Sequence, residues 1–129
     1  MKKSGILNRH LAGGLAHLGH TDLAVVCDAG LPIPDGPLVV DLAFRAGVPR
    51  FAEVLHGILD EIVVEGASAA AEVRTHNPET TALLDGLFHE LETIPHEEFK
   101  ARTRRARLVV RTGEVTPYSN VLLQCGVFY

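Results

Sequence analysis

At 129 residues, 47% hydrophobic and 22% charged, the chain is suited to one folded domain over residues 1–129, with a buried core, and is not a disordered polymer. A formal charge of −4 argues against nucleic-acid binding, and no apolar run nears the roughly 20 residues that span a bilayer. The opening MKKSGILNRHLAGG meets Asn8 and Arg9 where a secretory signal needs an apolar stretch, so a cytoplasmic location is expected.

Leu7, Leu11, Leu15 and Leu18 recur at helical spacing, with Asn8 near the start of the helix and Gly19 at its end. Gly13 and Gly14 weaken that helix but allow close approach to a neighbouring element. Leu23–Cys27 is a continuous apolar run and predicts a buried strand, followed by a shaped Asp28–Pro34 loop. Pro37–Leu42 predicts a second strand. Pro49 opens a helix with a stripe of Phe51, Val54, Leu55, Ile58 and Leu59, and Ile62–Val64 predicts a third strand. Asn77 and Pro78 supply an N-cap and a first-turn proline for a helix carrying Leu83, Leu84, Leu87, Phe88 and Leu91. Thr93 and Pro95 introduce another helix, through His96 to about Arg105, and Leu108–Val110 and Val121–Leu123 complete the strands. Alternation of short apolar strands with helices predicts an α/β fold, a three-layer α/β/α arrangement of Rossmann-like type around a mostly parallel sheet.

Cys27 and Cys125, the only cysteines, lie in strand-like runs and read as buried free thiols. Six of the 12 basic residues fall between Lys100 and Arg111, which reads as a solvated helix end rather than a phosphate-binding patch. His10 and His17, like His89 and His96, are two helical turns apart, about 10 Å, too far to share an ion. Gly19 interrupts the closer pair, His17 and His20. With no HExxH, CxxC or dense carboxylate cluster, no metal is expected, and the absence of GxSxG and phosphate-loop motifs weakens other enzyme classes. Lys100 lies one turn after His96, which suits either a solvated helix face or a polar role beside a site.

Ligands of such sheets gather beyond the carboxyl ends of the strands, where Asp28 and the Arg111–Asn120 loop belong. His20 stands at the other end of the first strand. An extended Thr21–Cys27 segment holds it more than roughly 20 Å from Asp28 at about 3.3 Å per residue. The two can serve one small-molecule site only if that site lies between subunits. Read alone, His20 after Gly19 can also be a helix-terminal residue that satisfies carbonyls.

His20-Thr-Asp with Val26-Cys-Asp-Ala-Gly-Leu-Pro-Ile-Pro34, His96-Glu-Glu-Phe-Lys100, Arg111-Thr-Gly-Glu114 and Pro117-Tyr-Ser-Asn120 resemble the D-ribose pyranase family. Lys3-Ser-Gly-Ile-Leu-Asn8 and Cys125-Gly-Val-Phe128 fit too. From about Ala67 to Leu91 only helical character matches, and Tyr129 extends past the expected terminal phenylalanine. The resemblance implies interconversion of β-pyranose and β-furanose D-ribose, supplying the form a ribokinase uses. It also implies a cytoplasmic homodecamer of two stacked pentameric rings with no metal and no cofactor. By position, it implies His20 as general acid and Asp28, His96, Tyr118, Ser119 and Asn120 as sugar-binding residues, with the Ser119 backbone mattering more than its hydroxyl. The rival readings are a mutarotase for another monosaccharide such as L-fucose, and a non-catalytic sugar-binding partner of a transporter or kinase.

Overall fold

In the computed structural model, which describes residues 1–129, Asn8 caps the first helix, α1 (Arg9–Ala16), its side chain accepting the Leu11 N–H at 2.9 Å. The helix ends at Ala16, three residues before Gly19. Gly14 performs the expected close approach, since a Cβ there would lie 3.0 Å from a Leu108 methyl, whereas Gly13 faces open space. The strands β1 (Leu23–Cys27) and β2 (Leu38–Asp41) follow. In α2 (Phe51–Leu59) the Glu53 carboxylate accepts the Arg50 N–H, and Phe51, Val54, Leu55 and Ile58 form the buried stripe. The remaining elements are β3 (Val64–Ala70), α3 (Val73–His76), α4 (Pro78–Leu87), β4 (Leu91–Ile94), α5 (His96–Thr103), β5 (Leu108–Arg111) and β6 (Val121–Cys125).

The six strands form one sheet in the order β2-β5-β1-β6-β3-β4. The pairings β2–β5, β5–β1 and β3–β4 are parallel, as an α/β fold predicts, but β6 runs antiparallel to both of its neighbours. No helix separates β5 from β6, and a short connection cannot carry the chain back for a parallel pairing. Residues 112–120 therefore arch over the carboxyl end of β1 and enter β6 beside it. Alternation along β1 feeds two cores. Ala24 and Val26 pack with α1 to α4 on one face; Val25 and Cys27 pack with Leu31, Phe99 of α5 and Ala106 on the other. Those layers make α/β/α, with a thin second helical layer of α5 alone.

Three expectations need correction. The third strand is not Ile62–Val64 but Val64–Ala70, sequence VEGASAA, whose small residues carry little β-propensity yet fit between packed layers. Leu91 and Thr93 belong to β4, an edge strand, rather than to helices, because parallel pairing with β3 overrides local preference. The basic stretch from Lys100 to Arg111 is not simply a solvated helix end. Lys100 pairs with Glu97, Arg102 with Glu92 and Glu98, Arg107 with Asp22, and Arg111 with Asp41. Both cysteines are free and buried, and burial pushes the Cys27 thiol up to about 12. No helix is long and apolar enough to cross a membrane.

Candidate active site

The arch of residues 112–120 and the loop after β1 enclose an open cleft of about 470 Å³, bordered by Asp28, Leu31, His96, Val115, Tyr118 and Asn120. It lies beyond the carboxyl end of β1, where the fold places ligands. Asp28 is 7% exposed, and its Oδ1 accepts the Gly30 and Leu31 N–H groups at 3.0 and 2.8 Å. Its own N–H donates to Asn120 Oδ1 at 2.8 Å, tying the two loops together. Asp28 Oδ2 and Asn120 Nδ2 make no hydrogen bond within the chain, so an acceptor and a donor remain for a ligand. Burial raises the Asp28 carboxyl above the usual carboxylate range, partly offset by the Gly30 and Leu31 N–H groups.

His96 opens α5, its backbone N–H donating to the Glu72 carboxylate at 3.1 Å. Its Nδ1 is buried with no partner, an atom that a ligand hydroxyl can satisfy. Tyr118 stands edge-on to His96 with ring centroids 5.2 Å apart, and His76 stacks on it at 5.5 Å. Tyr118 has φ of 62°, a left-handed conformation that costs energy for a bulky residue and is held here by its surroundings. The holding groups are buried. Asn77 Nδ2 donates to Pro117 O at 2.8 Å and to Ser119 Oγ at 3.0 Å, while Thr80 Oγ1 lies 3.1 Å from the same hydroxyl. Asn77 Oδ1 meanwhile accepts the Thr80 N–H as the expected cap of α4. The Ser119 hydroxyl is thus committed to α4 rather than offered to the cleft.

Asn77→Ala therefore removes a helix cap and strips partners from a buried carbonyl and hydroxyl. The expected cost is about 2–3 kcal/mol, read as a lowered midpoint in urea melting.

Four of the residues expected at a site thus come together: Asp28, His96, Tyr118 and Asn120. Ser119 adjoins them through the backbone. Lys100 does not border the cleft; its amine is 2.9 Å from Glu97. His20 is at the opposite end of β1, half exposed, its Nε2 3.1 Å from Glu65 Oε2. In the sequence Glu114 stands only as one polar residue of the Arg111–Asn120 loop, and nothing marks His76 or Glu65. Glu114 is a buried carboxylate that accepts from Arg50, the Phe51 N–H and both Thr116 donors, gripping the start of α2 beside the cleft. Burial pushes its carboxyl up, but the Thr116 and Phe51 N–H groups, the Thr116 hydroxyl and Arg50 outweigh it and hold the group low. No cluster of three or more His, Cys, Asp or Glu side chains is placed to hold a metal ion.

A cleft offering carboxylate, imidazole, phenol and amide beyond the carboxyl end of a central strand defines a protein that reads a small polyhydroxylated molecule. Residues 1–128 match the RbsD / FucU transport protein family, and the chain belongs to that family. It is 70% identical to D-ribose pyranase 2 of Streptomyces griseus subsp. griseus over 129 residues, covering all of both chains. It superposes on Bacillus subtilis RbsD complexed with D-ribose with a TM-score of 0.95 at 50% identity, again over all of both chains. The fucose mutarotase of Streptococcus pneumoniae in complex with L-fucose shares the fold, with a TM-score of 0.76 at 21% identity over 95% of each chain.

Proposed function

We propose that this chain is an enzyme that interconverts the β-pyranose and β-furanose forms of D-ribose by acid–base ring opening and reclosure. The observation that carries the reading is the convergence of Asp28, His96, Tyr118 and Asn120 on one cleft in a chain so similar to a ribose-complexed relative. An acid protonates the ring oxygen as a base takes the anomeric hydroxyl proton, and the C4 hydroxyl then closes on the aldehyde in place of the C5 hydroxyl. Imidazole donates and recovers protons near neutrality, and such help contributes roughly 10²–10⁴-fold. No electrons or groups are transferred, so no cofactor is needed.

The acid is His20, reaching the cleft from a neighbouring subunit, while Asp28, His96, Tyr118 and Asn120 bind the sugar and Ser119 shapes the loop. Lys100 supports the site from α5 without touching ribose. The assembly is a cytoplasmic decamer of two stacked pentameric rings. Exposed apolar residues support that geometry. Val115 borders the cleft and Val48 lies against Gly113 at the base of the arch, while Val63 accepts the Gly126 N–H just past the Cys125 carbonyl that holds Thr21. Head-to-tail contact of two unlike surfaces closes a ring and brings His20 to the cleft of the next chain. Measured in solution, the particle should weigh ten times the 13.9 kDa chain.

The test is NMR saturation transfer on D-ribose: saturating the β-pyranose anomeric proton should diminish the β-furanose signal only with protein present. Assembled protein that leaves ribose exchange at the solvent rate, yet accelerates L-fucose anomerisation, overturns the ribose assignment.

The buried Asp28 carboxylate gives a second expectation. Its raised pKa means that folding favours the protonated form, so the ionised group weakens the fold at neutral pH and ceases to as pH falls below the ordinary carboxylate value. Asp28→Asn should stabilise the protein at pH 7 by roughly 0.5–2 kcal/mol while ribose exchange collapses. The stability gain should vanish in thermal melts at low pH, where the wild-type carboxyl is also neutral.

A further inference from the structure

His20 and Glu65 form a hydrogen-bonded pair that is half exposed, and such surface pairs add little to stability. Yet two unfavourable local features converge on it. Glu65 is the extra residue of a β-bulge: Val64 lies opposite Cys125 and Gly66 opposite Gln124. The bulge keeps Val64 in the core and turns Glu65 onto the open sheet face beside Gln124, whose Nε2 donates to Glu65 Oε1 at 3.0 Å. On the other side of the pair, Thr21 follows His20 with φ of 71°, a left-handed conformation that a β-branched residue rarely adopts. It is pinned by donation from its N–H to Cys125 O at 2.9 Å. The flanking turn is closed by the Gly19 N–H on Asp22 Oδ2 at 2.8 Å, with Arg107 bracing that carboxylate.

We infer that Glu65 is the positioning residue of His20, accepting its Nε2 proton and making Nδ1 the atom that gives and recovers the catalytic proton. The inference rests on the proposed role of His20 as acid. A carboxylate oxygen 3.1 Å from Nε2 fixes the ring plane and selects the Nε2–H tautomer once the ring is neutral. The imidazolium gives its Nδ1 proton to the ring oxygen as the C1–O5 bond breaks, and the anomeric hydroxyl proton leaves to a base in the cleft. On closure the C4 oxygen bonds to C1, and the protons return by the reverse steps. Gln124 holds the second carboxylate oxygen, so the carboxylate cannot rotate away.

Saturation transfer on the full-length assembled protein over a range of ribose concentrations tests this. Glu65→Ala should lower the maximal exchange rate by roughly 10- to 100-fold, the size of loss seen when the carboxylate partner that orients a metal-bound histidine is removed. The concentration giving half-maximal exchange should move by no more than about twofold, because ribose contacts are intact. Glu65→Gln, equal in size and still offering an oxygen to Nε2–H, should recover part of the loss, and it carries the test if the alanine variant fails to assemble. Glu65 variants that exchange at the wild-type rate, while His20→Ala does not, overturn the inference alone. Loss of affinity in proportion to rate also overturns it. A His20→Ala protein exchanging like wild type instead removes the underlying reading.

Discussion

Mixing two inactive chains should restore an active enzyme. His20→Ala removes the proposed acid but leaves a complete cleft; Asp28→Ala removes a cleft residue but leaves the histidine. Each homo-oligomer should fall to near the solvent rate, a loss of roughly 10²–10⁴-fold for the acid alone. The two groups sit at opposite ends of β1, so no flexing of the nine-residue His20–Asp28 segment, with its five-residue buried strand, unites them within one chain. In a head-to-tail ring each site draws on two neighbours. Random co-assembly in equal amounts then rebuilds roughly one quarter of the sites with both native residues. Regain of about that fraction of exchange, after subunits are mixed through mild denaturation, is the expected result. Mixed rings that stay inactive, with exchange of subunits shown by mass, would exclude a shared site.

An apolar run bounded by His20 and Asp28 sufficed to place the two residues at opposite ends of β1, and the structure puts them there. The Asn77–Pro78 cap was equally plain, because side-chain type and position leave little choice. The direction of β6 was legible in principle, since the short link from Arg111 to Val121 has no room for a crossover helix. The Ala-rich β3 was not legible. Its residues favour a helix in isolation, and only the packed sheet makes them a strand. The bulge at Glu65 leaves no mark in composition, because a single inserted residue changes facing rather than character. The pairing of Glu65 with His20, and the stacking of His76 on Tyr118, join segments far apart in the chain and needed coordinates.

Gly113 is the other position where a single change should have a large effect. A Cβ built there would lie 2.2 Å from Val48 O, 2.5 Å from Val48 C and 2.7 Å from Arg45 O. All three atoms are backbone, so no side chain can swing aside. The segment that would have to move is anchored: Gly47 N–H donates to Gly113 O at 2.7 Å, and Gly113 N–H donates to Pro49 O at 2.8 Å. Val48 O also accepts from Phe44 and Arg45, so displacing it breaks a turn as well. The next residue, Glu114, carries the carboxylate that grips α2 and a carbonyl that accepts the Ala29 N–H at 2.8 Å, beside Asp28. Gly113→Ala should therefore reach or exceed the upper end of overpacking costs, about 3 kcal/mol. It should also weaken ribose binding, because the arch over β1 shifts with the contact. Gly126→Ala is the matched control. Its nearest atom is a Val63 methyl at 3.1 Å, a side-chain contact that can give, so the loss should be smaller. Equal melting temperatures for the two variants would mean that the 45–49 segment yields easily and does not brace the cleft.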